Sequence, residues 1–105
     1  MTARVWFDGE VFEHSGEGSW HFVKVPADVA EEVRDLLTGP PRGFGSVKVT
    51  ATIGETTWST SIFPVKEDRS YVLPVKKQVR TAEGILADDV VRVELVVVEG
   101  DEGDS

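Results

Sequence analysis

The sequence predicts a mainly β domain, a barrel of about six strands with two short helices plugging its ends. Three observations predict it. Short runs alternate apolar and polar residues, most clearly Val47-Lys48-Val49-Thr50-Ala51-Thr52-Ile53 and Thr57-Trp58-Ser59-Thr60-Ser61-Ile62. Two stretches with helical apolar spacing each open at a proline, Pro26 and Pro74. The order strand, proline, helix, turn, strand occurs twice, with the two prolines 48 residues apart. A pseudo-twofold barrel accounts for both halves.

The elements follow in order. Residues 4–13 alternate weakly around Asp8-Gly9, a hairpin-type dipeptide, and predict a bent strand or two short ones. Residues 14–19 read as a turn, and 19–25 as a strand with Trp20, Phe22 and Lys24 on one face. After Pro26 the spacing of Val29, Val33, Leu36 and Leu37 predicts a helix with one apolar stripe. Asp28, Glu31 and Glu32 sit near its positive end, and Gly39-Pro40-Pro41 stops it. Past Arg42-Gly43-Phe44-Gly45 comes the strand 47–53, a turn at Gly54-Glu55, and a strand running to Phe63-Pro64. A loop at 65–69 leads to a short strand at 70–73. Pro74 then opens a second helix with Val75, Val79 and Ala82 on one face, ended by Gly84. A valine-rich strand over 89–98 is apolar on both faces, which predicts a central position. Trp20 and Trp58 are expected to fill the core.

Composition bounds what such a domain does. The chain has 105 residues, 40% of them hydrophobic, enough for one core over residues 1–98. The absence of cysteine excludes disulfides and thiolate metal sites and fits a cytoplasmic protein. The N-terminus reads as the start of a strand, and no run approaches the ~20 apolar residues of a membrane span. Formal net charge is −8, but residues 99–105 (Glu-Gly-Asp-Glu-Gly-Asp-Ser) hold four of the acids and read as a disordered tail, leaving −4 on the rest. Residues 66–80 run the other way, at +3. The overall acidity argues against nonspecific nucleic-acid binding, which depends on neutralising phosphates.

Several ordered motifs carry a resemblance. Trp20…Phe22-Val23…Val25-Pro26, Trp58-Ser59-Thr60-Ser61-Ile62-Phe63-Pro64 and Tyr71-Val72-Leu73-Pro74-Val75-Lys76-Lys77-Gln78-Val79-Arg80 resemble the small bacterial family called domain of unknown function 1905. The likeness spans residues 4 to 98. It implies a double-split β-barrel, related in architecture to the AbrB type of swapped-hairpin barrel, and it implies no established activity. Leu73-Pro74…Arg80…Gly84-Ile85…Asp88-Asp89-Val90-Val91 also looks like the AbrB half-barrel, whose activity is DNA binding by a dimer. There a glycine commonly precedes the aspartate that opens the last strand. Ala87 stands at that place, so the turn must be made differently.

The residues give little catalytic chemistry. His14-Ser15 are neighbours in a predicted turn, with nothing to set a nucleophile on an elbow. His21 is expected to be a surface or hydrogen-bonded histidine. Asp88-Asp89 are adjacent and point to opposite faces of a strand, so no metal site or cofactor is expected. Gly43-Phe44-Gly45 is a fragment of a phosphate loop with no helix behind it, read as a turn. Thr57, Ser59 and Ser61 form a hydroxyl stripe on the solvent side of their strand. The informative feature is Lys76-Lys77 in the first turn of the second helix, where the helix dipole disfavours cations. Arg80 lies one turn on. Such an arrangement asks for a counter-charge. It is either internal, from Glu67, Asp68 or a first-helix carboxylate, or it is an anionic small molecule or an acidic protein surface. The ligand-binding candidates are accordingly Lys76, Lys77, Arg80, Lys66, Arg69 and Arg42, and the expected function is a non-catalytic binding module. An AbrB-like DNA-binding regulator is the alternative, and an enzyme comes third.

Overall fold

The computed structural model describes residues 3–16, 18–36 and 45–98. Leu37, Gly39, Arg42 and the acidic segment 99–105 lie outside them, as does the predicted turn at 43–44. Six strands and two helices follow in the order β1 (Ala3–Gly16), β2 (Gly18–Val25), α1 (Ala27–Leu36), β3 (Val47–Ile53), β4 (Thr56–Val65), β5 (Ser70–Pro74), α2 (Lys77–Glu83) and β6 (Val90–Val97). The strands close into an antiparallel barrel in the spatial order β1-β2-β5-β4-β3-β6. The mainly β barrel with two helices is therefore the fold of this chain.

Two strands change partner part-way along. β1 pairs with β6 over Ala3–Glu10 and with β2 from Val11 to Gly16. β4 pairs with β3 from Thr56 to Ile62 and with β5 from Phe63 to Val65. Exchanging β1 with β4, β2 with β5, α1 with α2 and β3 with β6 leaves every pairing unchanged, so the repeated element order is a true pseudo-twofold of topology.

Gly9 shows how the first change of partner is made. A Cβ there would sit 3.0 Å from the Lys24 carbonyl oxygen and against the Val23 side chain. Only a bare Cα lets β1 pass this close to β2 as it leaves β6. Inward-facing Val5, Phe7, Val11, Val23, Ile62 and Leu95 are among the buried residues of the core. Ala30 and Val33 of α1 are wholly buried against it. Val29 and Leu36 pack at its margin.

Several expectations are corrected. The predicted turn at 14–19 is strand on both sides of Glu17, because His14↔Trp20 and Ser15↔Ser19 continue the hairpin ladder to its tip. The second helix begins at Lys77, not at Pro74. Pro74 still pairs with Phe22, and Lys76 is an extended N-cap at φ −71, ψ 161. Ala82 is exposed, and its expected place in the core is taken by Ile85, which follows the αL residue Gly84. Trp58 is buried as expected, but Trp20 is 56% exposed. Trp20 shares its face with Lys24, which points outward while Val23 and Val25 point in. β6 lies between β1 and β3 as a central strand should, yet Val90 is exposed and Arg92 and Glu94 make its outer face polar. Before β6 the left-handed residue is Asp88 (φ 77), so an aspartate makes the turn that a glycine makes elsewhere.

Candidate functional site

The second change of partner opens a groove. β5 stays with β2 through Pro74, and the Val75 N–H donates to the His21 carbonyl at 2.9 Å. Its pairing with β4, however, ends at Phe63↔Val72. Past that point β4 and the start of α2 diverge. The far end of α2 is tied back to β4 by Glu83, whose Oε2 accepts from the Thr56 hydroxyl at 2.6 Å and from the Glu55 N–H at 3.2 Å. At the near end the wedge remains open, with a volume of about 1080 Å³.

The groove gathers cations. Lys76 and Lys77 stand at the start of α2, Arg80 one turn further, and Lys48 projects from β3 opposite Ser61 of β4. Among the described residues no aspartate or glutamate lines it. Among the described residues the ion pairs are Arg4–Glu94, Lys24–Asp68 and Arg92–Asp8, so none of these four cations has a carboxylate partner. Arg80 is half-buried, and its Nε donates to the Val75 carbonyl at 3.2 Å. α2 has no acid in its first turn and no side-chain cap. With seven residues it supplies little dipole of its own, so the positive character of the groove comes from ammonium and guanidinium groups.

Among the described residues no carboxylate pairs with these lysines. Asp68 salt-bridges Lys24 instead, and its Oδ1 accepts from the Ser70 hydroxyl at 2.6 Å and from the Ser70 N–H. The Lys24 and Ser70 hydrogen bonds hold its carboxyl down at about 2, against an ordinary 3.8. Lys66 and Arg69 belong to the turn between β4 and β5 and do not line the groove. The Arg69 carbonyl is bound by Arg34 Nη1 of α1 at 3.0 Å, which holds that turn against the first helix. Of the six predicted cations, the structure brings together Lys76, Lys77 and Arg80. Arg42 is outside the described residues.

Other groups at the groove were not predicted there. Lys48 reads in sequence as the polar partner of an alternating strand, and only the β3–β4 register brings it to the rim. Ser59 and Ser61 of the hydroxyl stripe form the β4 wall beside Thr60 and exposed Phe63. Trp20 forms part of the opposite side, its indole nearly parallel (13°) to Phe22 with centroids 6.3 Å apart. His21 also lines the groove, and its Nδ1 is buried with no hydrogen-bond partner, unlike the satisfied or surface histidine expected. It is the one such side-chain atom among the described residues. A smaller concavity of about 400 Å³ lies at the other end of α2, where Glu83, Asp89 and Arg92 mix both signs of charge. No three His, Asp or Glu side chains converge as a metal site among the described residues.

A family model described as Domain of unknown function (DUF1905) matches residues 7–95. The chain belongs to the DUF1905 family. The matched span takes in β2, β4, β5 and α2, so the whole groove is part of the DUF1905 domain. No curated protein matches the chain. Within this DUF1905 domain no helix is long and apolar enough to cross a membrane among the described residues.

Proposed function

We propose that this DUF1905 domain is a binding module that holds an anionic group between β4 and the start of α2, through Lys76, Lys77 and Lys48, with Arg80 behind them. One observation carries the reading: a groove lined, among the described residues, by four cations and no carboxylate on a chain of net charge −8. In an acidic protein, carboxylates are the commonest neighbours a lysine can have. A site that gathers cations and excludes them is electrostatically complementary to an anion. At about 4 Å and an effective dielectric near 20, one ammonium–anion contact is worth about 4 kcal/mol before desolvation.

Thermal unfolding in the presence of inorganic phosphate and pyrophosphate tests the proposal. A ligand at about 100 times its Kd stabilises the folded chain by about 2.7 kcal/mol, which raises Tm by about 10 °C or more. The double substitution Lys76→Glu/Lys77→Glu abolishes that shift while leaving the circular dichroism spectrum unchanged, because both side chains are exposed. An equal shift in the double variant, or no shift in the parent protein, overturns the reading. The AbrB-type alternative requires a dimer with a continuous basic face, whereas the cations here sit in one groove of an acidic chain. Duplex DNA is expected to run unretarded beside this protein at low salt, and retardation would favour the alternative.

A further inference from the structure

The groove is more than a set of cations, and its other components narrow the ligand. Trp20, exposed like Trp6 but placed at the groove, offers an indole that is 56% exposed and backed by Phe22. Phe63, 43% exposed, stands on the β4 side. Ser59 and Ser61 present hydroxyls, which both donate and accept. Lys48, Lys76 and Lys77 supply ammonium groups at the same opening with no carboxylate partner among the described residues. A flat aromatic surface, hydroxyls and ammoniums around one concavity match a ligand with three parts: a planar ring, a polar middle and an anionic end.

We infer that the groove takes a nucleoside phosphate, its base stacked on Trp20, its sugar along Ser59 and Ser61, and its phosphate on Lys76 and Lys77. The inference rests on the anion-binding reading and goes beyond it in naming the ligand class. Inorganic phosphate or a sulfate-like ion uses the lysines and leaves the aromatic surface idle. A lone aromatic compound uses Trp20 and leaves the ammoniums uncompensated. A nucleic-acid polymer needs a basic track that continues past the groove. Among the described residues the cations of the β1–β6 face, Arg4 and Arg92, are already paired with Glu94 and Asp8, so they offer no free positive track to further phosphates. A volume of about 1080 Å³ is at the upper end of small-ligand sites and accommodates a single nucleotide.

Calorimetric titration of the whole chain with adenosine monophosphate, adenosine, pyrophosphate and a decathymidylate tests this. The monophosphate is expected to bind about tenfold or more tightly than adenosine, since a charge-assisted phosphate contact adds to stacking. Trp20→Ala is expected to weaken the monophosphate about tenfold and to leave pyrophosphate unchanged, with Trp20→Phe restoring most of the loss. Lys76→Gln/Lys77→Gln is expected to weaken both anions. Pyrophosphate binding with no advantage for the monophosphate, or with no effect of Trp20→Ala, overturns the nucleoside inference and leaves the anion reading standing. No binding of either anion overturns both. A decathymidylate that binds far more tightly than the monophosphate overturns the single-nucleotide ligand in favour of a strand. The Trp20 side chain is half in solvent, so a variant that unfolds is not expected. A matching circular dichroism spectrum for Trp20→Phe separates lost stacking from lost fold.

Discussion

Asp68 and Trp20 show how single residues divide between fold and site. Asp68 is the acid best placed in sequence to neutralise the cations of residues 66–80, yet it turns to Lys24 and Ser70 and not to Lys76 or Lys77. Its depressed pKa has a defined consequence. A carboxyl whose pKa is about 2 in the folded chain and 3.8 ordinarily stabilises the fold above pH 4. That contribution fades as pH falls through the interval between the two values. Asp68→Asn is therefore expected to flatten the acid limb of a Tm-against-pH curve between about pH 4 and 2, while changing the curve little in shape near neutrality. A parallel acid limb in the variant would show that the pair with Lys24 contributes nothing. Trp20 was legible in principle. It alternates with Val23 and Val25 but shares its face with Lys24, and a lysine beside two aromatics marks an outer face. The general rule that tryptophans fill cores outweighs that local signal. The same alternation places His21 on the Val23 and Val25 side, but nothing in β2 shows that its buried Nδ1 lacks a partner.

At the scale of elements, the two helices do the same job unequally. α1 has ten residues and buries Ala30 and Val33 completely over the β1 side of the barrel. α2 has seven, and among its own residues only Val79 is buried. The Glu83 carboxylate anchors its last turn to Glu55 and Thr56, and Gly54 accommodates that carboxylate, since a Cβ there would lie 2.8 Å from Glu83 Cδ at φ 60. Glu83→Ala is expected to cost about 1–3 kcal/mol in denaturant unfolding, the value of hydrogen bonds to a charged acceptor. It is also expected to loosen α2 enough to weaken anion binding at the far end. A variant of parent stability would show that the anchor is incidental. Element positions were largely legible in sequence, because alternation and helical spacing report burial one element at a time. The start of α2 was not. Pro74 suits both a first helical turn and the last residue of a strand, and the Phe22↔Pro74 pairing decides for the strand.

For the whole molecule, the double change of partner is the organising fact. Each half of the barrel contains one strand that changes partner part-way, and a helix packs against it, α1 on β1 and α2 on β4. The repeated element order made this symmetry readable. The open wedge beside α2 was not, since it depends on how α2 packs against β4. Residues from all six strands meet in one core, so the barrel is expected to unfold as a unit. Leu95→Ala, at a fully buried position of β6, is expected to cost about 2–5 kcal/mol and to shift the fluorescence and circular dichroism transitions together. Separate transitions would show that the two halves are independent.

The place of β6 has a consequence for how the molecule is made. The last of the six barrel strands is an interior stave in space, inserted between β1 and β3, and its Arg92 reaches back to Asp8 across 84 positions of chain. Until it arrives, β1 and β3 each present a bare margin to the surroundings. During synthesis the hairpins of each half can form as they emerge, but the cylinder shuts only when the last stave is supplied.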